Sequence, residues 1–154
     1  MKAKFLLVAA VSLVLAACGV QSVVSYYDHQ PVLVNIQHDG ACQIRVAGNG
    51  NNLAAAKVEA QKNAVNEVLF KGLNSSKQSL KPVVAEVNAR SRYNDYFNKF
   101  FADGGDYKNF VTLMDNQKNA GKYVKNQSQV QCHVNVTVDV EGLKAKLRED
   151  KIIK

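Results

Sequence analysis

The feature that most constrains the fold of this chain is a stretch of strict alternation near its carboxyl-terminal end. Every second residue there is apolar: Val130, Cys132, Val134, Val136, Val138 and Val140. The residues between them are Gln131, His133, Asn135, Thr137 and Asp139. Because successive side chains of a strand point to opposite faces, this stretch predicts a strand with one buried and one wet face. The pattern indicates an antiparallel sheet that is covered on one side.

Shorter strand signals lie on both sides of a long central helix. Pro31 precedes a predicted strand at Val32–Ile36, the turn residues Asp39 and Gly40 follow it, and residues 41–46 predict the next strand. The glycine- and asparagine-rich residues 48–52 are expected to end that strand. Further along, residues 107–115 predict a strand, and residues 123–140 predict one long strand that contains the alternating stretch.

Three helical regions are predicted. Residues 53–73 form the clearest one, because Asn51 or Asn52 can cap it and its alanine density suits close packing on a sheet. Residues 80–101 carry two apolar stripes that are out of phase, with Pro82 in a first helical turn and a break expected at 88–91. The second stripe is aromatic and predicts core packing rather than a ligand groove; its members are Tyr93, Tyr96, Phe97, Phe100 and Phe101. Residues 143–152 predict a closing helix.

The order strand, strand, helix, helix, strand, strand, helix predicts the fold class. It is typical of an α+β domain with two layers, in which an antiparallel sheet carries helices on one face. A chain of 154 residues suits one domain of this kind. We expect that domain to span residues 31–154.

The amino terminus has the parts of a secretory signal. Lys2 and Lys4 precede an apolar run that is too short to span a bilayer, and small residues follow it. The sequence Leu-Ala-Ala-Cys at residues 15–18 resembles the lipobox of bacterial lipoproteins. That resemblance implies that residues 1–17 are removed as the signal peptide, that Cys18 is acylated, and that residues 18–30 form a lipidated tether. The alternative is a soluble secreted protein in which Cys18 is incidental.

Processing would change the charge of the chain. The 20 basic and 13 acidic residues give a net charge of +7, and removal of residues 1–17 takes away only Lys2 and Lys4. The remaining 137 residues then carry +5. An exported bacterial protein does not meet cytoplasmic nucleic acid, so we expect no nucleic-acid partner. Anionic glycan or lipid headgroups are the candidate ligands for the basic excess, with Arg90, Arg92, Tyr93 and Tyr96 as candidate binding residues; a solvated basic surface is the simpler interpretation.

Cys42 and Cys132 remain after acylation of Cys18. Two cysteines in an oxidising compartment predict a disulfide, and both lie on the apolar face of an alternating segment. Such a bridge would close a loop of about 90 residues and contribute up to roughly 4–5 kcal/mol in the loop-entropy account. A cysteine nucleophile is the alternative, but the adjacent His133 would point to the opposite face of the strand. No zinc-ligand spacing is present in the sequence.

One further resemblance concerns the central helix. The stretch from Ala54 to Val65, AAAKVEAQKNAV, resembles the alanine-rich helix that follows the first core strand in LPP20-type lipoproteins and in the related amino-terminal domains of the flagellar proteins FlgO and FlgT. The strand-like YKNFV at residues 107–111 and the alternating strand occur in a similar order, so the resemblance covers roughly residues 41–150. It implies an envelope lipoprotein that works through protein contacts and has no catalytic residues.

These observations together predict a cell-envelope lipoprotein with a structural or partner-binding role. We expect it to be anchored in the outer membrane through Cys18, facing the periplasm or the cell surface. An envelope protein is the expected partner, with no cofactor and no small-molecule substrate. No paired-carboxylate, Ser/His/Asp or metal-binding pattern in the sequence indicates an enzyme.

Overall fold

A computed structural model describes residues 30–114, 123–126 and 129–154. The predicted signal peptide, Cys18 and most of the predicted tether lie outside the described residues. The strands are β1 (Val32–Ile36), β2 (Cys42–Gly50), β3 (Leu73–Asn74), β4 (Ser79–Leu80), β5 (Val111–Leu113), β6 (Tyr123–Asn126) and β7 (Gln129–Val138). The α-helices are α1 (Leu53–Asn66), α2 (Ala89–Arg92), α3 (Asn94–Phe100) and α4 (Val140–Glu149).

One antiparallel sheet of five strands organises the domain. The strand order is β1-β2-β7-β5. Strand β6 pairs with the first residues of β7, and β5 pairs with the last residues of β7 on the same side. Helices pack against this sheet, and its alternating strand β7 points four valines and one cysteine into the core that sheet and helices share. The predicted α+β class with a helix-covered antiparallel sheet is therefore confirmed. A small hairpin of β3 and β4 forms a separate two-stranded sheet that contacts β1.

The strand boundaries differ from the predicted ones in three places. The single strand predicted at residues 123–140 is wrong, because β6 and β7 are separate strands that pair with each other, with Asn126 opposite Gln129. The strand predicted at residues 107–115 starts only at Val111, since Asp106–Phe110 forms a 3-10 turn. The strand predicted to end at residue 46 continues through Gly48 to Gly50.

Helix α1 lies unusually close to strand β2. Its amino terminus is capped as predicted, because the Asn52 side chain accepts a hydrogen bond of 2.8 Å from the Ala55 amide. Three alanines one turn apart, Ala56, Ala60 and Ala64, are fully buried and form the face that meets the sheet. The strand residue beneath them is Gly48, where a Cβ atom would overlap the Ala56 carbonyl oxygen and the Ala60 amide nitrogen. Glycine at that position is what allows the helix to pack at this distance.

The chain after α1 leaves the helix through a wide turn. Glu67–Lys71 is π-helical and ends at Gly72, which has a φ of +73°. The Gly72 amide donates a hydrogen bond of 2.8 Å to the Glu67 carbonyl. The next carbonyls, of Val68 and Leu69, accept hydrogen bonds of 3.0 and 2.9 Å from the amides of Val83 and Val84. The helical turn predicted at Pro82 is therefore wrong, because the backbone that follows Pro82 forms hydrogen bonds with the π-helical segment Glu67–Lys71.

The aromatic stripe forms part of the core, as predicted. Phe97 and Phe100 on α3 are buried, and Tyr107 from the 3-10 turn is buried beside them. Phe97 makes edge-to-face contacts with Phe70 and Tyr96, with ring centroids 4.9 and 5.2 Å apart. Val87, in the turn before α2, is 97% exposed.

Two features protect the outer edge of β1. The register of β1 against β2 shifts between Leu33 and Asn35, which places a bulge in the middle of the strand. The Ile36 amide donates a hydrogen bond of 2.9 Å to the Gln78 side chain, which comes from the β3–β4 hairpin. A bulge and a capped amide both hinder edge-to-edge pairing with another strand.

Candidate functional site

The side chain of Arg90, the first residue predicted to bind an anion, is held between two aromatic rings. Its guanidinium carbon lies 5.4 Å from the ring centroids of Phe70 and Phe101. One guanidinium nitrogen also donates a hydrogen bond of 3.3 Å to the Asn66 side chain at the end of α1. These contacts join α2 to α1 and to the segment after α3, so Arg90 connects three parts of the helical layer.

The other three predicted binding residues have separate surroundings. Arg92 forms an ion pair of 2.6 Å with Glu86, in the loop before α2. Tyr93 is half-buried against the core, and the Tyr96 hydroxyl donates a hydrogen bond of 2.6 Å to Asp150 after α4. Arg90, Arg92 and Tyr96 thus have different intramolecular partners. The anion site predicted for these four side chains stays a prediction. Their separate intramolecular contacts do not favour it.

A small polar network joins α3 to the end of α4. One carboxylate oxygen of Asp150 accepts a hydrogen bond from the Tyr96 hydroxyl. The other oxygen accepts a hydrogen bond of 2.9 Å from the Lys146 ammonium. The hydrogen bond from Tyr96 and the nearby Lys146 lower the pKa of Asp150. Burial, followed by the contact with Asp150, raises the pKa of Tyr96, and the bond to Asp150 raises the pKa of Lys146. The arrangement therefore stabilises an ionised Asp150 beside a neutral tyrosine.

The substitution Asp150→Asn tests this network through its pH dependence. In the native protein the pKa of Asp150 lies below its unfolded value of about 3.9, so the ionised carboxylate stabilises the fold above about pH 4. That stabilisation is lost as the pH falls through the lower, folded-state pKa. We expect Asp150→Asn to cost about 1 kcal/mol at pH 7 and less at pH 2–3, measured by urea unfolding at each pH.

The matched control is Asp95→Asn, the same chemical change on the residue next to Tyr96. Asp95 is exposed, and it forms no hydrogen bond or ion pair with the described part of the chain. We expect this variant to differ from the native protein by less than about 0.5 kcal/mol at both pH values. An equal, pH-independent loss in both variants would contradict a specific role for the Asp150 carboxylate.

The predicted disulfide between Cys42 and Cys132 is wrong. Both cysteines are buried on the helix-covered face of neighbouring strands, as the alternation indicated, but both are free thiols. In the register of β2 and β7, Cys42 lies opposite Val138 and Cys132 lies opposite Gly48. The two positions are six residues apart along the strands, which corresponds to about 20 Å. A disulfide requires Cα atoms within about 7 Å of each other.

The thiols also lack the features of a catalytic nucleophile. Burial raises the pKa of Cys42 to about 11, and burial raises the pKa of Cys132 as well. A nucleophilic cysteine needs the opposite shift, since the thiolate is the reactive form. His133 follows Cys132 on the same strand and points to the opposite face of the sheet. In residues 30–114, 123–126 and 129–154, no group of three or more His, Cys, Asp or Glu side chains is placed to hold a metal ion.

The face of the sheet opposite the helices, here called the open face, is polar. Its exposed or half-buried side chains are Val32 and Asn35 on β1, Gln43, Arg45 and Asn49 on β2, Thr112 on β5, and Gln131, His133, Asn135 and Thr137 on β7. Arg45 reaches across to the neighbouring strand, where its Nε atom donates a hydrogen bond of 3.3 Å to the Asn135 side chain. None of these residues is acidic, so the open face bears amide and hydroxyl side chains with a basic residue near its centre.

The partners of the predicted site residues could not be read from the sequence. Arg90 meets Asn66 from 24 positions away, and Tyr96 meets Asp150 from 54 positions away. Periodicity indicates which face of an element is buried, but it does not indicate which distant element covers that face.

Comparisons with protein-family profiles, with curated proteins and with solved structures found no match to this chain. The resemblance to LPP20-type lipoproteins thus stays a prediction from the residues quoted above. In the described part of the chain, no helix combines the length and apolar character that crossing a membrane requires.

Proposed function

We propose that this chain is a cell-envelope lipoprotein, anchored in the outer membrane by acylated Cys18, whose domain has a structural or partner-binding role. The single observation that carries the proposal is the Leu-Ala-Ala-Cys sequence at residues 15–18, which directly follows a short apolar run with two preceding lysines. Two or more acyl chains on Cys18 give stable membrane attachment, whereas one chain gives reversible attachment.

The position of the folded domain in the chain fits a tethered arrangement. The first strand, β1, begins at Val32, which leaves residues 19–31 between the acylated Cys18 and that strand. Thirteen residues span at most about 45 Å, so the domain would remain close to the membrane surface. The same β1 carries the exposed Val32 and forms one edge of the open face.

A protein partner suits the domain better than an anionic glycan or lipid headgroup. Arg92, one of the residues proposed for anion binding, already pairs with Glu86. Near the carboxyl terminus, Lys144 pairs with Glu141 and Lys146 with Asp150. At each of these three positions an acidic side chain already offsets the positive charge. The open face offers uncharged polar side chains and one exposed valine at its edge, Val32, which is a composition compatible with protein contacts.

Replacement of Cys18 by serine tests the anchor. A serine at this position cannot accept a thioether-linked lipid, so we expect Cys18→Ser to move the protein from the membrane pellet to the soluble fraction. We also expect it to remove labelling by an alkyne analogue of palmitate. When intact cells are cross-linked and the products identified by mass spectrometry, membrane-associated partners should be recovered with the native protein and lost with Cys18→Ser.

Cys132→Ala is the matched control, because it removes a different cysteine from the same chain. This variant should keep its palmitate label and remain in the membrane fraction. The proposal fails if Cys18→Ser fractionates with the membrane as the native protein does, or if the native protein incorporates no label.

A further inference from the structure

The two buried thiols occupy positions that the native sheet keeps apart. Cys42 and Cys132 lie on the same face of adjacent strands, separated by six residue steps, or about 20 Å. No side-chain rotation crosses that distance, and a change in register of six residues would break the pairing of β2 with β7. The folded domain and a Cys42–Cys132 disulfide are therefore mutually exclusive.

Each thiol is also shielded by the layer above it. Cys132 lies opposite Gly48, and Gly48 is the residue over which Ala56 and Ala60 of α1 pass in direct contact. Cys42 is fully buried at the other end of β2, opposite Val138 and next to the core that receives α4. An oxidant reaches these sulfur atoms only when the helical layer separates from the sheet, which in a domain of this size amounts to unfolding.

We propose that folding and oxidation of this cysteine pair compete, so that the fold acts as a redox-sensitive device. A chain that folds first stays reduced. A chain that meets a disulfide oxidant before it folds forms the Cys42–Cys132 bridge and cannot assemble its sheet until the bridge is reduced. The inference does not depend on the proposed function, although export to an oxidising compartment would expose the unfolded chain to such oxidants.

The chemistry of the trapping step is ordinary dithiol oxidation. The two thiols lose two electrons and two protons, one sulfur–sulfur bond forms, and the oxidant accepts the electrons and protons. With diamide as the probe, the azo bond is reduced to the hydrazine. Reduction by dithiothreitol reverses the step, and the released chain then folds, which favours the reduced form at equilibrium.

The full chain carrying Cys18→Ser provides the test, because Cys42 and Cys132 are then its only thiols. In the native state, we expect 5,5′-dithiobis(2-nitrobenzoic acid) to react at least about 1000-fold more slowly than in 8 M urea, since only the unfolded fraction is reactive. Native protein incubated with diamide should remain reduced. Protein oxidised by diamide in urea should fail to regain its native circular dichroism after dilution, and dithiothreitol should restore it.

Two single-thiol variants in the same background separate the bridge from other damage by the oxidant. Cys132→Ala and Cys42→Ala cannot form the intramolecular disulfide, so either one, if native before treatment, should refold after exposure to diamide in urea at low micromolar concentration. The proposal is overturned if the two-thiol chain regains native circular dichroism with the Cys42–Cys132 bridge still present by mass spectrometry. It is also overturned if native protein becomes bridged without unfolding, or if the single-thiol variants are trapped equally.

Discussion

Replacing Gly48 by alanine is expected to destabilise the domain by about 3 kcal/mol or more, a large share of the roughly 5–15 kcal/mol by which a folded domain is typically stable. The added Cβ atom would overlap the Ala56 carbonyl oxygen and the Ala60 amide nitrogen, and would lie 2.8 Å from the Ala60 Cβ atom. Two of these three neighbours are backbone atoms of α1. No change of rotamer relieves such an overlap, so the whole helix would have to move away from the sheet.

That movement would affect more than one contact. The alanine face of α1 covers β2 and β7, and the buried Val65 continues the same helix face into the core. Lifting the helix opens a gap along the strand, and the buried surfaces on both sides lose their packing. The measurement is urea unfolding of the Cys18→Ser chain, followed by circular dichroism because the sequence contains no tryptophan.

Gly104→Ala is the control for the Gly48 prediction. Gly104 has a φ of +83°, and a Cβ atom there would meet nothing within 4 Å. Its replacement should cost only the backbone strain of an alanine in the left-handed region, about 1–2 kcal/mol. A Gly48→Ala variant as stable as Gly104→Ala would show that the helix can be displaced from the sheet at little cost.

Gly48 and Gly50 are glycines of a strand that sequence composition assigns to a loop. Gly48 and Gly50 lie among asparagines, a composition that favours a loop, and the sequence therefore predicted the end of the strand. In the structure both belong to β2, and both lie under α1. Glycine occurs both in turns and where a helix approaches a strand closely, and a single sequence does not distinguish these two situations. Only the position of the helix distinguishes them.

Periodic features were predictable because they depend on local geometry. The alternation ending at Val138 identified the buried face of β7, and the alanine density of α1 indicated a helix that packs closely on the sheet. The Asn52 cap is also a local hydrogen bond, three residues long. Each of these signals follows from the two-residue repeat of a strand or the 3.6-residue repeat of a helix.

Register is a different kind of information. The alternation places Cys42 and Cys132 correctly on the covered face, yet it leaves open which residues of β2 lie opposite which residues of β7. A shift by any even number of residues keeps every side chain on its face. The predicted disulfide is wrong because Cys132 lies six residues along β7 from the residue that faces Cys42. A two-residue repeat is the same before and after a displacement of six residues, so it does not reveal it.

The second large effect is expected for Phe97→Ala, which should cost about 3–5 kcal/mol. Phe97 is fully buried and touches aromatic rings on three sides, from Phe70, Tyr96 and Phe100. Removing its ring takes away that buried area and leaves a cavity between α3 and the π-helical turn, which neighbouring rings can fill only in part. Urea unfolding of the Cys18→Ser chain again gives the measurement.

Two further variants show whether the effect comes from packing. Phe97→Leu retains most of the buried volume and should lose clearly less stability than Phe97→Ala, whereas Val87→Ala should change it by less than about 0.5 kcal/mol because Val87 is 97% exposed. A flat response across the three variants would mean that the aromatic cluster is a surface feature, and the interpretation of the stripe as core would be wrong. A graded response would instead place Phe97 at the centre of the helical layer. The contacts of Arg90 with Phe70 and Phe101 would then be supports for that layer rather than parts of a ligand site.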